Sequence, residues 1–122
     1  MEIYYKQFVI VPKKPKMSRG KIASQVAHAT FMALEKQRDL SWRERTIIKE
    51  WKHNGMCVII LGCKDTHALT NIAKYFDEWN VPYGLCIDEG LTEVEPMTPT
   101  ALATGVLTED KFWIFEMMKL LK

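Results

Sequence analysis

The sequence predicts a single-domain, three-layer α/β protein with a four-stranded, mixed but mostly parallel sheet covered by helices on both faces. Three observations lead there. Short apolar runs, KQFVIVP at residues 6–12 and MCVIIL at 56–61, alternate with segments of helical period. These runs are apolar at nearly every position, as strands are when helices cover both faces of a sheet. The chain has 122 residues, enough for one core and too few for two, so residues 1–122 make one domain.

Each element has its own signal. KQFVIVP is β-branched and ends at a proline, which marks a buried first strand. A basic loop follows, then a helix from about Ser18 to Gln37, with Ser18 as N-cap. Ile22, Val26, Ala29 and Ala33 form its apolar stripe, and Lys21, Gln25, His28 and Met32 run along the flank. Ser41 opens a second helix through a capping box with Glu44. Ile47, Ile48 and Trp51 give that helix an apolar face, and Asn54-Gly55 stops it. MCVIIL is the second strand. Asp65 or Thr66 caps a third helix whose Ala68, Leu69, Ile72, Ala73 and Phe76 share one face. Tyr83 to Ile87 is the third strand, and TALATGV at 100–106 the fourth. EDKFWIFEMMKLLK closes the chain as an amphipathic helix. In sheets of this kind ligands collect at the carboxyl ends of the strands. There the basic loop, the turn at Asp88 and the threonine-rich loop at residues 92–100 converge.

Composition excludes several classes. No apolar run approaches the ~20 residues of a membrane span, and the start, MEIYYKQFVIVPKK, has neither the basic lead nor the cleavage site of a signal peptide. Cys57, Cys63 and Cys86 are odd in number and lack CxxC spacing, which fits a reduced cytoplasmic protein. Cys57 and Cys86 fall in apolar runs and read as buried, inert thiols. The histidines, His28, His53 and His67, show no metal-ligand spacing, so no metal and no cofactor is expected. Net charge is only +2, yet the charge is segregated. Residues 12–21 carry Lys13, Lys14, Lys16, Arg19 and Lys21 without an acid, and residues 88–95 carry Asp88, Glu89, Glu93 and Glu95 without a base. The two blocks are either separate solvated loops or the two electrostatic ends of one site.

The chemistry-bearing candidates lie in those blocks. Lys21 follows Gly20 at a helix N-terminus, a generic anion site. It is not a phosphate-binding loop of the GxxxxGK[ST] type, because the upstream glycine is missing and Ile22 replaces the hydroxyl residue. No G-x-S-x-G elbow is present. Asp88 ends an apolar strand and has two readings. It begins a turn completed by Gly90, or it faces Lys21 in an ion pair that keeps the carboxylate charged and orients water or the lysine. Thr92, Thr98, Thr100 and Thr104 are equally divided between strand-and-turn roles and the positioning of a carbonyl or a water.

MSRGKIASQVAHA at 17–29, with DEGLTEVEPMTPTALATG at 88–105, resembles the peptidyl-tRNA hydrolase type 2 family. The KQFVIV start, the second helix ending in tryptophan and glycine, and MCVIIL extend the resemblance over almost the whole chain. It implies a small cytoplasmic, usually dimeric hydrolase without metal that cleaves the ester joining a peptide to the terminal ribose of tRNA. The family's functional positions would fall on Lys21, His28, Asp88, Thr92 and Thr100, with Ser18, Arg19 and Gln25 close by. Lys13, Lys14, Lys16 and Thr98 are further substrate-binding candidates. The implied partners are peptidyl-tRNA and a second copy of the chain, with neither DNA nor membrane.

The sequence departs from the family pattern at several points. Glu89 stands where alanine is usual, and a second carboxylate there is expected to raise the local carboxylate pKa values and draw Lys21 away. Met97 replaces a glycine, Pro99 enters two residues later, and residues 103–106 read ATGV in place of GIGP. Val58 and Gly62 stand where the family has lysines. Two alternatives therefore remain beside the hydrolase: an RNA- or protein-binding module on the same scaffold, with the four tryptophans and the last helix as interface, or a hydrolase of another small ester or amide.

Overall fold

The structure is a computed structural model that describes residues 4–90 and 93–122. Its elements run β1 (Tyr5–Pro12), α1 (Arg19–Arg38), α2 (Trp42–His53), β2 (Val58–Cys63), α3 (Thr66–Glu78), β3 (Tyr83–Asp88), β4 (Thr98–Thr108), a 3-10 helix (Glu109–Phe115) and β5 (Lys119–Leu120). The helix starts follow from their caps. The Ser18, Ser41 and Asp65 side chains accept the N–H groups of Lys21, Glu44 and Ala68, which satisfies backbone donors that a helix leaves open at its first turn.

One mixed sheet carries the fold, in the order β3-β4-β1-β2-β5. It has five strands rather than the expected four. β1 pairs with β2 in parallel, while β4 lies antiparallel between β1 and β3 and β5 is antiparallel to β2. Three of the five strands thus point the same way, but neighbouring pairs are more often antiparallel than parallel. The fifth strand comes from the closing segment, for which the apolar pattern predicts a helix. The closing amphipathic helix is instead a 3-10 helix followed by an extended stretch. Phe115 stacks on Phe8 with ring centroids 4.0 Å apart, and Phe112 meets the same ring edge-on. These aromatic contacts pin the chain over the sheet in a short, tight helix. The next residues then pair with the open side of β2, Lys119 with Gly62 and Leu120 with Leu61, and cover an edge that would otherwise be bare.

The core has two faces. Phe8, Ile10, Leu61, Leu102 and Leu107 pack against Leu69, Ala73 and Phe76 of α3 and against Phe115. Val9, Val11, Ala101 and Ala103 point the other way, onto Ala29 and Ala33 of α1. α2 joins that side through Ile48 and Trp51 on Val106.

The buried row of α1 is Lys21, Gln25, Ala29, Ala33 and Gln37, an unbroken i, i+4 series. Ile22 and Val26 are only half-buried beside it, and His28 and Met32 are exposed. Lys21 and Gln25 therefore lie in the packed row itself and not on its flank, as the apolar pattern had suggested. The cause is close approach. A Cβ on Gly84 of β3 would stand 2.8 Å from the Ala33 nitrogen and 2.9 Å from the Ala29 oxygen. With the helix backbone this near, only alanine fits the middle of the row. An i, i+4 row is inclined to the helix axis, so its two ends reach different parts of a twisted sheet. Polar side chains find partners at both: Gln37 bonds the backbone of Val106, and Lys21 with Gln25 reaches Asp88.

Candidate active site

β3 delivers Asp88 to its carboxyl end, beside the first turn of α1. The Lys21 Nζ donates to Asp88 Oδ1 at 2.5 Å, and both side chains are more than nine-tenths buried. Gln25, one turn further along α1, donates its Nε2 to the same oxygen at 3.3 Å. The backbone N–H of Gly90 donates to Asp88 Oδ2 at 2.8 Å. The two readings of Asp88 are thus both met: the residue closes an Asx turn with Gly90, which sits at φ +83°, and it pairs with Lys21.

These contacts set the charge state. Foremost the hydrogen bond from Lys21 holds the Asp88 carboxyl below its ordinary range. The Gly90 N–H, the lysine charge and Gln25 act in the same direction, against the desolvation of burial. Glu89 does not disturb the arrangement. Its side chain is exposed, it is not among the groups that shift Asp88, and Lys21 keeps its partner. The expected raising of the Asp88 carboxyl by Glu89 is overturned, because the hydrogen bonds from Lys21, Gly90 and Gln25 dominate its surroundings.

A buried chain of hydrogen bonds stands behind the pair. Gln25 Oε1 accepts from the Thr100 hydroxyl at 3.1 Å and from the Cys86 thiol at 2.7 Å. The Thr100 hydroxyl also lies 3.3 Å from the Cys86 carbonyl. Two donors on Oε1 fix the amide so that its NH₂ faces Asp88. Thr100 is fully buried and acts through Gln25. Cys86 was legible in principle, since two residues along a strand share a face with Asp88.

The segregated blocks meet at Ser18. Its N–H and Oγ donate to the two oxygens of Glu93, at 2.7 and 2.5 Å, while Oγ accepts the Lys21 N–H. The Ser18 hydroxyl, and then its N–H, hold the Glu93 carboxyl below its ordinary range. Glu93 ties the loop after β3 to the start of α1, a role not singled out from sequence; its signal was the complementarity of the two blocks. On the same loop Met97 N–H donates to the Asp88 carbonyl at 2.7 Å.

Other candidates are dispersed. His28 is exposed and lines a groove beside Asp88. Thr98 bonds the carbonyl of Glu95 in a turn, Thr104 bonds backbone within β4 and to Phe8, and Thr92 lies outside the described residues. Lys13, Lys14, Lys16 and Arg19 are exposed. The Lys13 side chain lies across Gly62, and Lys13 and Lys14 share one surface cavity with Lys64 and Lys119, two lysines not anticipated there. Among the cysteines Cys86 is buried, and Cys57 and Cys63 are half-buried. No group of three or more histidine, cysteine or acidic side chains among the described residues could hold a metal ion. No helix among them is long and apolar enough to cross a membrane.

A buried Lys–Asp pair at the carboxyl ends of a mixed sheet, beside an open groove, defines a three-layer α/β protein with a polar candidate site. Residues 5–121 match the family Peptidyl-tRNA hydrolase PTH2, and the chain belongs to that family. It is 36% identical over 107 residues to a peptidyl-tRNA hydrolase of Methanopyrus kandleri, covering 88% of this chain and 89% of the relative. Identity to the peptidyl-tRNA hydrolase of Thermococcus onnurineus is 34% over 108 residues, 87% of each chain. For that of Saccharolobus solfataricus it is 33% over 108 residues, 86% of this chain and 88% of the relative.

Proposed function

We propose that this protein hydrolyses the ester between a peptide and the terminal ribose of tRNA, releasing the peptide acid and free tRNA. The observation that supports it most is the intact Lys21–Asp88 pair, framed by Gln25 and Gly90, in a chain that matches the family almost end to end. Asp88 Oδ1 already accepts two hydrogen bonds and Oδ2 one. A carboxylate oxygen offers about two lone-pair sites, so Oδ2 keeps one for the attacking water. A carboxylate held below its usual range is a poor proton acceptor at neutral pH. Its part is to orient the water and to fix the lysine. The Lys21 ammonium has two further N–H donors. They face the charge that develops on the ester carbonyl oxygen as water adds, and one proton of that water passes to the ribose oxygen as it departs. Thr100 and Cys86 keep Gln25, and through it Asp88, in register, His28 faces the substrate from the groove, and Thr92 is a further catalytic candidate by family resemblance.

In this reading the exposed Lys13, Lys14, Lys16 and Arg19 meet tRNA phosphates, with Ser18 and Thr98 shaping the loops between phosphates and ester. The protein works as a cytoplasmic homodimer. The deciding experiment is turnover of a labelled peptidyl-tRNA by wild type, Asp88→Asn, Lys21→Ala and the double variant. Either single change should abolish most of the hydrolysis, and the double variant should be little worse, because the two groups act as a unit. No turnover by wild type with tRNA still bound would replace the enzyme with an RNA-binding module. Full activity of Asp88→Asn would dismiss the mechanism.

A further inference from the structure

Among the described residues the sheet ends in β3 on one side and in the two-residue β5 on the other, so β3 is its long bare edge. β3 pairs with β4 on one side only, and nothing among the described residues pairs with its other side. On the opposite side β5 covers β2; no strand does so for β3. An open edge presents unpaired N–H and C=O groups, a template for another extended chain. Alongside this edge runs a groove of about 540 Å³ between β3 and the outer flank of α1. Phe31, Met32 and Ile87 line it and are 62, 42 and 39% exposed, with the exposed Glu89 beside Asp88 at its end. His28 stands on the same flank, and at one end the groove reaches Gln25 and Asp88. The apolar surface is therefore continuous with the reaction centre through Asp88 itself.

We propose that the peptide part of the substrate docks as an added strand on the free edge of β3, parallel to it. This rests on the function proposed above. The direction is dictated by chemistry. The scissile carbonyl, at the peptide's carboxyl end, must lie at Lys21 and Asp88. β3 ends at Asp88, so a peptide running back along it has the same sense as the strand. From Leu85 to Asp88 the edge spans about 10 Å at ~3.3 Å per residue, room for three peptide residues. Main-chain pairing supplies affinity without regard to side chains. Phe31, Met32 and Ile87 offer an apolar wall that takes many residue types. The tRNA then leaves beyond the strand ends, on the side of the basic loop.

The test alters the substrate and leaves the protein untouched. Three acetyl-tripeptidyl-tRNAs are compared: one unmodified, one N-methylated at the amide of the last residue, and one N-methylated at the amide before it. Binding is read with amide-linked, slowly cleaved versions and turnover with the esters. Alternate N–H groups of a strand face the same way. One methylation should therefore weaken binding and kcat/KM about tenfold, the scale of a lost hydrogen bond, and the other should leave both within about twofold. Equal affinities for all three overturn the proposal. So does a groove that binds the methylated substrates alike but loses affinity when the terminal adenine is removed, which would assign it to the nucleoside. Absence of turnover of the unmodified ester refutes the hydrolase alone, and the binding pattern still decides the docking mode.

Discussion

Gly84→Ala tests whether the approach of α1 to β3 builds the site. The added Cβ would lie 2.7 Å from the Met32 Cβ, 2.8 Å from the Ala33 nitrogen and 2.9 Å from the Ala29 oxygen. Ordinary contact begins near 3.4 Å, so the two backbone atoms must retreat by about 0.6 and 0.5 Å. They belong to a helix and cannot rotate aside as a flexible side chain can. Overpacking of this kind costs about 1–3 kcal/mol. The functional effect has the same origin. Lys21 and Gln25 ride on α1 and Asp88 on β3, so the retreat stretches the 2.5 Å contact between Lys21 and Asp88. Misplacement on the scale of an ångström costs up to about a hundredfold in rate, and we expect a loss of about tenfold. The assays are thermal unfolding and peptidyl-tRNA turnover. Gly20→Ala is the control. It sits in α1 with nothing within 4 Å of an added Cβ, and should stabilise the protein by about 0.5–1 kcal/mol with turnover unchanged. Wild-type stability and turnover in Gly84→Ala would refute the reasoning.

The remaining predictions concern charge and hydrogen bonding. Because the folded pKa of Asp88 is lowered, its stabilising contribution is whole above the unfolded value of about 3.9 and is lost as pH falls through the lower folded value. Unfolding free energy of wild type minus Asp88→Asn, followed from pH 7 downward, should stay level until about pH 4 and fall only below it; a decline centred near pH 6 would contradict the assignment. Thr100→Val removes a fully buried hydroxyl bonded to Gln25. It should cost about 1 kcal/mol in denaturant unfolding and lower kcat more than it raises KM, whereas an unchanged kcat would detach Gln25 from the site. Replacing Lys13, Lys14 and Lys16 by alanine should lower the slope of log affinity for tRNA against log salt by about 2–3; an unchanged slope places the RNA elsewhere. Glu89→Ala should keep turnover within about twofold, since the exposed side chain does not compete for Lys21.

What the sequence made legible follows from how local each signal is. Caps are local, and Ser18, Ser41 and Asp65 open their helices as expected. The strand runs are local too, and their placement sets Lys21 and Asp88 at the same end of the sheet. The apolar pattern of EDKFWIFEMMKLLK was consistent with a helix, but Phe112 and Phe115 dock on Phe8, and the open side of β2 pairs with Lys119 and Leu120. Both partners lie far off in the chain and leave no mark on the local period. The same is true of α1. Its hydrophobic pattern favours Ile22 and Val26 as the packed stripe, yet the spacing to β3, set by Gly84 sixty residues away, selects the row through Lys21, Gln25, Ala29 and Ala33. Glu93 was visible as part of an acidic block, and only the fold shows that it caps Ser18.

That row explains why three polar side chains and two alanines share one packed line. A cation and a carboxylate buried together need further hydrogen bonds to offset desolvation. The helix supplies them at fixed spacing: Lys21 reaches Asp88 directly, and Gln25, one turn on, donates to the same oxygen. Gln25 can do so only if its amide is held, and Thr100 and Cys86 hold it from the two adjacent strands β4 and β3. Ala29 and Ala33 then bring the helix axis close enough for all of these contacts to form at once. The alanines at the centre and the charges at the end are one device. Enlarging the first should loosen the second, and the Gly84 substitution asks whether they are coupled in this way.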